Sequence, residues 1–166
     1  MKKIFLLLIL PLQFTHANEM CNSSITGELE TCTKKNLSAS DKQLNDTYKY
    51  IMQNLNSPNK ERLKKIQVSW VKYKESTCNY TPDNNGSEYL IEKNICLNNA
   101  TEERLRELSI IKNQISKKYN PIYAEIPYSR KEEDPVWNNY IDLHCSFMKD
   151  IFNDLMCTQR NISLHK

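Results

Sequence analysis

Six cysteines constrain this 166-residue chain more than any other feature: Cys21, Cys32, Cys78, Cys96, Cys145 and Cys157. All six follow residue 20, and their number is even. In an oxidising compartment such a set means a disulfide framework. Six cysteines allow fifteen pairings, and spacing alone does not choose among them. No Cys-x-x-Cys occurs, which argues against zinc-ribbon and thioredoxin-like arrangements.

An internal echo narrows the choice. Trp70-x2-Tyr73-x4-Cys78 recurs as Trp137-x2-Tyr140-x4-Cys145, and each copy is followed by one more cysteine, Cys96 or Cys157. The simplest pairing is therefore local: Cys78–Cys96, Cys145–Cys157 and, by elimination, Cys21–Cys32. Closing a loop of the Cys78–Cys96 length stabilises by about 3 kcal/mol in chain-entropy terms.

The N-terminus fits export. Lys2 and Lys3 precede an apolar run from Ile4 to Leu12, which is too short to span a bilayer. Thr15-His16-Ala17 supplies small residues at the −3 and −1 positions, so cleavage is expected after Ala17. Cys21 follows Asn18-Glu19-Met20, which is no lipidation motif. The expected location is periplasmic or secreted, with a cleavable signal peptide and no lipid anchor. No later stretch is apolar enough to stop transfer.

Removing Lys2 and Lys3 from the 23 basic residues leaves 21, against 20 acidic ones, a net charge of about +1. That balance argues against nucleic acid, which is held by clustered Lys and Arg. Only Gly27 and Gly86 are glycine. So few glycines disfavour a many-turned sandwich and favour helices joined by short loops.

The periodicity agrees. Leu44, Tyr48, Ile51 and Leu55 share one face of a helix spanning Ile25–Leu55, which can break at the capping-box-like Ser38-Ala39-Ser40-Asp41. Ser57 and Pro58 open a second helix carrying Leu63, Ile66, Trp70 and Tyr73. Thr81 to Gly86 reads as a loop. A short helix with Tyr89, Leu90 and Ile95 follows. Thr101-Glu102-Glu103 then caps another, with Leu105, Leu108, Ile111 and Ile115 on its apolar face. A last helix runs from Pro135 through Trp137, Tyr140, Phe147 and Ile151 to Leu155. Only Tyr119–Tyr128 leaves room for a short strand. The expectation is an all-α, disulfide-stapled bundle of about four to five helices. Its parts are a signal at 1–17, a helical domain at 18–118, a linker at 119–134, and a C-terminal half-repeat at 135–166 packing on the same domain.

No catalytic, cofactor or metal constellation emerges. His165 is next to the last residue, and His144 adjoins Cys145, a cysteine better used in a disulfide than as a nucleophile. Glu132-Glu133-Asp134 is a solvated acidic run. Trp70, Tyr73, Trp137 and Tyr140 suit core packing better than ligand stacking.

An ordered series of residues carries a family resemblance. It comprises Cys32, then Asp41-x2-Leu44-Asn45-x2-Tyr48, then Leu63-x3-Gln67-x2-Trp70-x2-Tyr73-Lys74-Glu75-x2-Cys78, then Gly86-Ser87, Cys96-Leu97, Thr101-x2-Arg104 and Leu108. From Cys21 to Leu108 the chain resembles the bacterial LprI N-terminal domain family of lysozyme-inhibitor-like envelope proteins. Lys74-Glu75 stands where that family usually shows Arg-Asp. The resemblance implies a helical, non-enzymatic binding protein whose partner is a lysozyme or related cell-wall hydrolase, blocked sterically. The candidate binding loop is Tyr80 to Ser87, with Tyr80, Asp83, Asn84, Asn85, Gly86 and Ser87 as its contact residues. The alternative is a periplasmic immunity or interaction protein with a different target. Lysozymes are usually strongly basic, and the charge of about +1 left after removal of the signal offers no acidic complement to them.

Overall fold

A computed structural model describes residues 19–116, 134–158 and 161. The expected signal segment, the linker as far as residue 133, the Tyr119–Tyr128 strand and His165 lie outside the described residues. Among those described, the chain forms five α-helices and a 3-10 turn, with no strand. They are α1 (Thr26–Asn54), α2 (Ser57–Thr77), α3 (Pro82–Asn85), the turn Gly86–Glu88, α4 (Tyr89–Ile115) and α5 (Pro135–Phe152). The all-α, disulfide-stapled bundle expected from the sequence is the fold observed.

Two expected breaks are absent. α1 runs unbroken through Ser38–Asp41 because those polar side chains serve other helices. Ser40 Oγ donates to Asn98 Oδ1 at 2.7 Å, and the Asp41 carboxylate accepts from Thr101 Oγ1 at 3.3 Å. For the same reason Thr101 caps nothing: it is buried inside one continuous α4. The cap of α2 lies one residue earlier than expected, where the Asn56 side chain accepts from Asn59 N–H at 3.0 Å. α5 opens on Asp134, whose carboxylate accepts from Val136 and Trp137 N–H, with Pro135 at the first position. It stops at Phe152, short of Leu155, because Asn153 turns left-handed at φ 54°.

Cross-helix partners fix the directions. Thr33 meets Asn94, Ser40 meets Asn98, and Tyr50 stacks under Lys112, so α1 and α4 run parallel. Arg62 pairs with Asp150, and Ser69 accepts from Asn139, so α2 and α5 run antiparallel. α4 joins the α2–α5 pair through Arg104, which donates to Gln67 of α2 and Tyr140 of α5. The core between the helices holds Leu44 and Ile51 from α1, Leu63, Ile66 and Trp70 from α2, Leu108 and Ile111 from α4, and Trp137, Ile141 and Phe147 from α5.

Candidate functional site

One end of the bundle is covalently capped. Cys21 joins Cys32, and Cys78 joins Cys96, with Cα–Cα distances of 5.8 and 5.7 Å. Both bridges lie beside the first turns of α1 and α4 and the last turn of α2. The segment before α1 is tied along that helix. Glu19 N–H donates to Asn36 Oδ1 at 3.0 Å, Asn36 Nδ2 donates back to Glu19 O at 2.8 Å, and Lys35 pairs with the Glu19 carboxylate. Lys35, by hydrogen bond and charge, holds the Glu19 carboxyl below its usual range. The third bridge, Cys145–Cys157, ties α5 to the segment that follows it.

Within the segment closed by Cys78 and Cys96, Thr81 to Gly86 was expected to loop. It instead winds a short helix, α3, and a 3-10 turn. Thr81 precedes α3 and Pro82 starts it; the Asn85 side chain closes it, accepting from Thr81 N–H at 3.2 Å. Gly86 then takes φ 71°, ψ −160°, a region open essentially to glycine alone. Asp83, Asn84 and Gly86 are exposed, while Tyr80 and Asn85 are half-buried. Ser87 lies in the 3-10 turn.

The other family-motif residues gather elsewhere. Asp41, Lys74 and Thr101 meet where α1, α2 and α4 converge: Lys74 Nζ is 3.6 Å from the Asp41 carboxylate and 4.7 Å above the Trp70 ring. Leu44, Trp70 and Tyr73 are core residues, Tyr48 packs against that core, and Asn45 and Glu75 face solvent. Most of the motif therefore specifies the fold. Among the described side chains and backbone, its exposed members on the capped end are Gly86 and Glu75.

A buried ion cluster went unforeseen. Arg104, from the motif, is almost fully buried. Its Nε donates to Gln67 Oε1 at 3.0 Å and its Nη1 to Tyr140 Oη at 3.2 Å, with the guanidinium 5.4 Å from the Tyr140 ring centroid. The same Nη1 lies 3.5 Å from His144 Nδ1, and His144 Nε2 lies 2.5 Å from Glu107 Oε2. A guanidinium only donates, so Nδ1 is assigned as the acceptor and Nε2–H donates to the Glu107 carboxylate. Arg104 and Glu107 are three apart on α4, and Tyr140 and His144 four apart on α5. Each pair shares a helix face, a signal visible in the sequence, but their meeting across helices is not. Glu107, His144 and Cys157 place possible ligand atoms within 4.8 Å of one another. The Cys157 sulfur is committed to Cys145 and offers no thiolate, and Arg104 crowds the imidazole with positive charge. The cluster is thus a cross-helix clamp.

The family described as lysozyme inhibitor LprI matches residues 17–108, more than half of the chain. The chain belongs to the LprI family. No curated protein and no solved structure matches it. The LprI match takes in α1, α2, the braced segment and most of α4, and stops before α5. Membership and three disulfides both point to a place outside the cytoplasm. No described helix is long and apolar enough to cross a membrane.

Proposed function

We propose that this LprI-family protein is exported, by cleavage after Ala17, to the periplasm or beyond the cell, where it binds a lysozyme or related peptidoglycan hydrolase and blocks it sterically. The observation that carries this reading is the family match together with the segment it contains, Asn79 to Ile95, closed by Cys78–Cys96 and presenting Asp83, Asn84 and Gly86 to solvent. An exposed polar segment closed by a disulfide suits entry into a glycan-binding cleft, because bridging its ends lowers the ordering cost of binding. No reaction is required of the protein, and the buried His144 and Glu107 have no access to a substrate.

The test is a cell-wall lysis assay. Protein comprising residues 18–166, at micromolar concentration, slows clearing by at least one lysozyme of the chicken, goose or invertebrate type. Unchanged rates with all three would sink the proposal.

A further inference from the structure

We infer that the docking surface is the disulfide-capped end of the bundle, an acidic end carrying exposed apolar side chains and built to receive a strongly basic protein. This rests on the inhibitor reading and names the chemistry of the partner's contacting surface.

Three large apolar side chains stand in solvent at that end. Met20 is 83 % exposed, Ile25 58 % and Ile95 45 %. Each is next to a structural anchor: Met20 adjoins Cys21, Ile25 is the residue from which α1 starts, and Ile95 adjoins Cys96. Cys21–Cys32 and the Glu19–Asn36 bonds hold the first group against α1, and the Asn94–Thr33 bond holds α4 beside it. The apolar residues therefore sit on a pre-ordered scaffold, which is the condition for efficient docking.

The charge around them is segregated. Residues 19–36 and 75–96, which form this end, carry seven acids against three lysines, a net −4. Residues 37–74, the remainder of the α1–α2 hairpin up to Lys72 and Lys74 at the edge of this end, carry eight basic residues against three acids, a net +5. The charge of about +1 left after removal of the signal conceals an acidic surplus in the segments that form this end. Glu19, Glu28, Glu75, Asp83, Glu88 and Glu92 are all exposed. Lys35 neutralises Glu19. Glu28, Asp83 and Glu92 occupy first turns, where the helix dipole favours them. Glu75 does not fit that account. It lies in the last turn of α2, where a negative charge opposes the dipole, so local stability gives no reason for it. Complementarity to a cationic partner accounts for both kinds of position, and such polarity accelerates encounter.

The experiment measures binding to chicken-type lysozyme at low and high salt. The triple variant Glu75→Lys/Asp83→Lys/Glu88→Lys is expected to associate about tenfold more slowly or worse and to lose the salt dependence. The neutral triple Glu75→Gln/Asp83→Asn/Glu88→Gln, which guards against a misfolded reversal, should fall between it and the parent. Reversal away from that end, at the start of α2, Lys60→Glu/Lys64→Glu/Lys65→Glu, should not slow association. Met20→Ser/Ile95→Ser should speed dissociation. If the parent binds and inhibits while both capped-end triples match it in rate and salt slope, the surface assigned here is wrong and the inhibitor reading stands. If the parent binds no lysozyme of any of the three types, both fall together.

Discussion

Tyr73 and Tyr140 stack with ring centroids 6.1 Å apart and planes 10° from parallel. They are the matching tyrosines of the two Trp-x2-Tyr-x4-Cys copies, one on α2 and one on α5. The echo in the sequence is thus a pair of helices that pack on each other at equivalent positions. Tyr140 also offers its hydroxyl to Arg104, so one ring serves both the apolar and the ionic part of the core. Tyr140→Ala should cost about 3–5 kcal/mol, the range for removing a buried aromatic side chain. Tyr140→Phe, which keeps the ring and loses only the hydrogen bond to a charged donor, should cost about 1.5–3 kcal/mol. Urea denaturation of the two variants separates the terms, and equal losses would contradict the division.

The Glu107–His144–Arg104 clamp predicts a second asymmetry. Glu107→Ala leaves the buried His144 and Arg104 without their carboxylate and should cost about 3–5 kcal/mol. An exposed carboxylate such as Glu61, paired with Lys64 in solvent, should cost less than about 1 kcal/mol on the same change. Thermal or chaotrope unfolding of the two single variants decides it.

Gly86 is constrained by its backbone alone. A Cβ placed there would meet nothing within 4 Å, yet φ 71° strains any L side chain. Gly86→Ala should therefore cost about 1–3 kcal/mol through strain, concentrated in the segment between Cys78 and Cys96. Faster amide exchange in residues 80–88, with the α2–α5 core unchanged, is the expected signature.

Tyr48 gives a pH prediction. Burial pushes its phenol above the ordinary tyrosine value, and Arg104 pulls weakly the other way. A folded-state value raised above the unfolded one contributes stability that is complete below about pH 10 and is lost as pH rises through the folded value. Phenolate absorbance should show a late-titrating tyrosine that disappears in Tyr48→Phe. The same variant should lose less stability between neutral and strongly alkaline pH than the parent does.

The helices were legible because each carries its own apolar stripe. Leu63, Ile66, Trp70 and Tyr73 recur at helical spacing, and all four are buried. What misled was polar residues with two possible employments. Ser40 and Thr101 have the chemistry of helix caps, and nothing local distinguishes a hydroxyl that caps from one that reaches across to Asn98 or Asp41. Arg104 was legible as a family position. That it lies buried against His144, forty residues away, depends on the α4–α5 packing, which no window of sequence contains. The same limit hid the acidic surplus at the capped end, because net charge sums over residues that the fold places far apart.

The family match ends at Leu108, but the buried surface does not. Tyr140 of α5 stacks on Tyr73 and accepts from Arg104, and Trp137, Phe147 and Met148 of the same helix belong to the core that holds Trp70 and Tyr73. What descends as a recognisable unit is therefore smaller than what must fold together. A fragment cut at the edge of the shared sequence would carry every signature residue of its lineage and still lack the helix that closes its core.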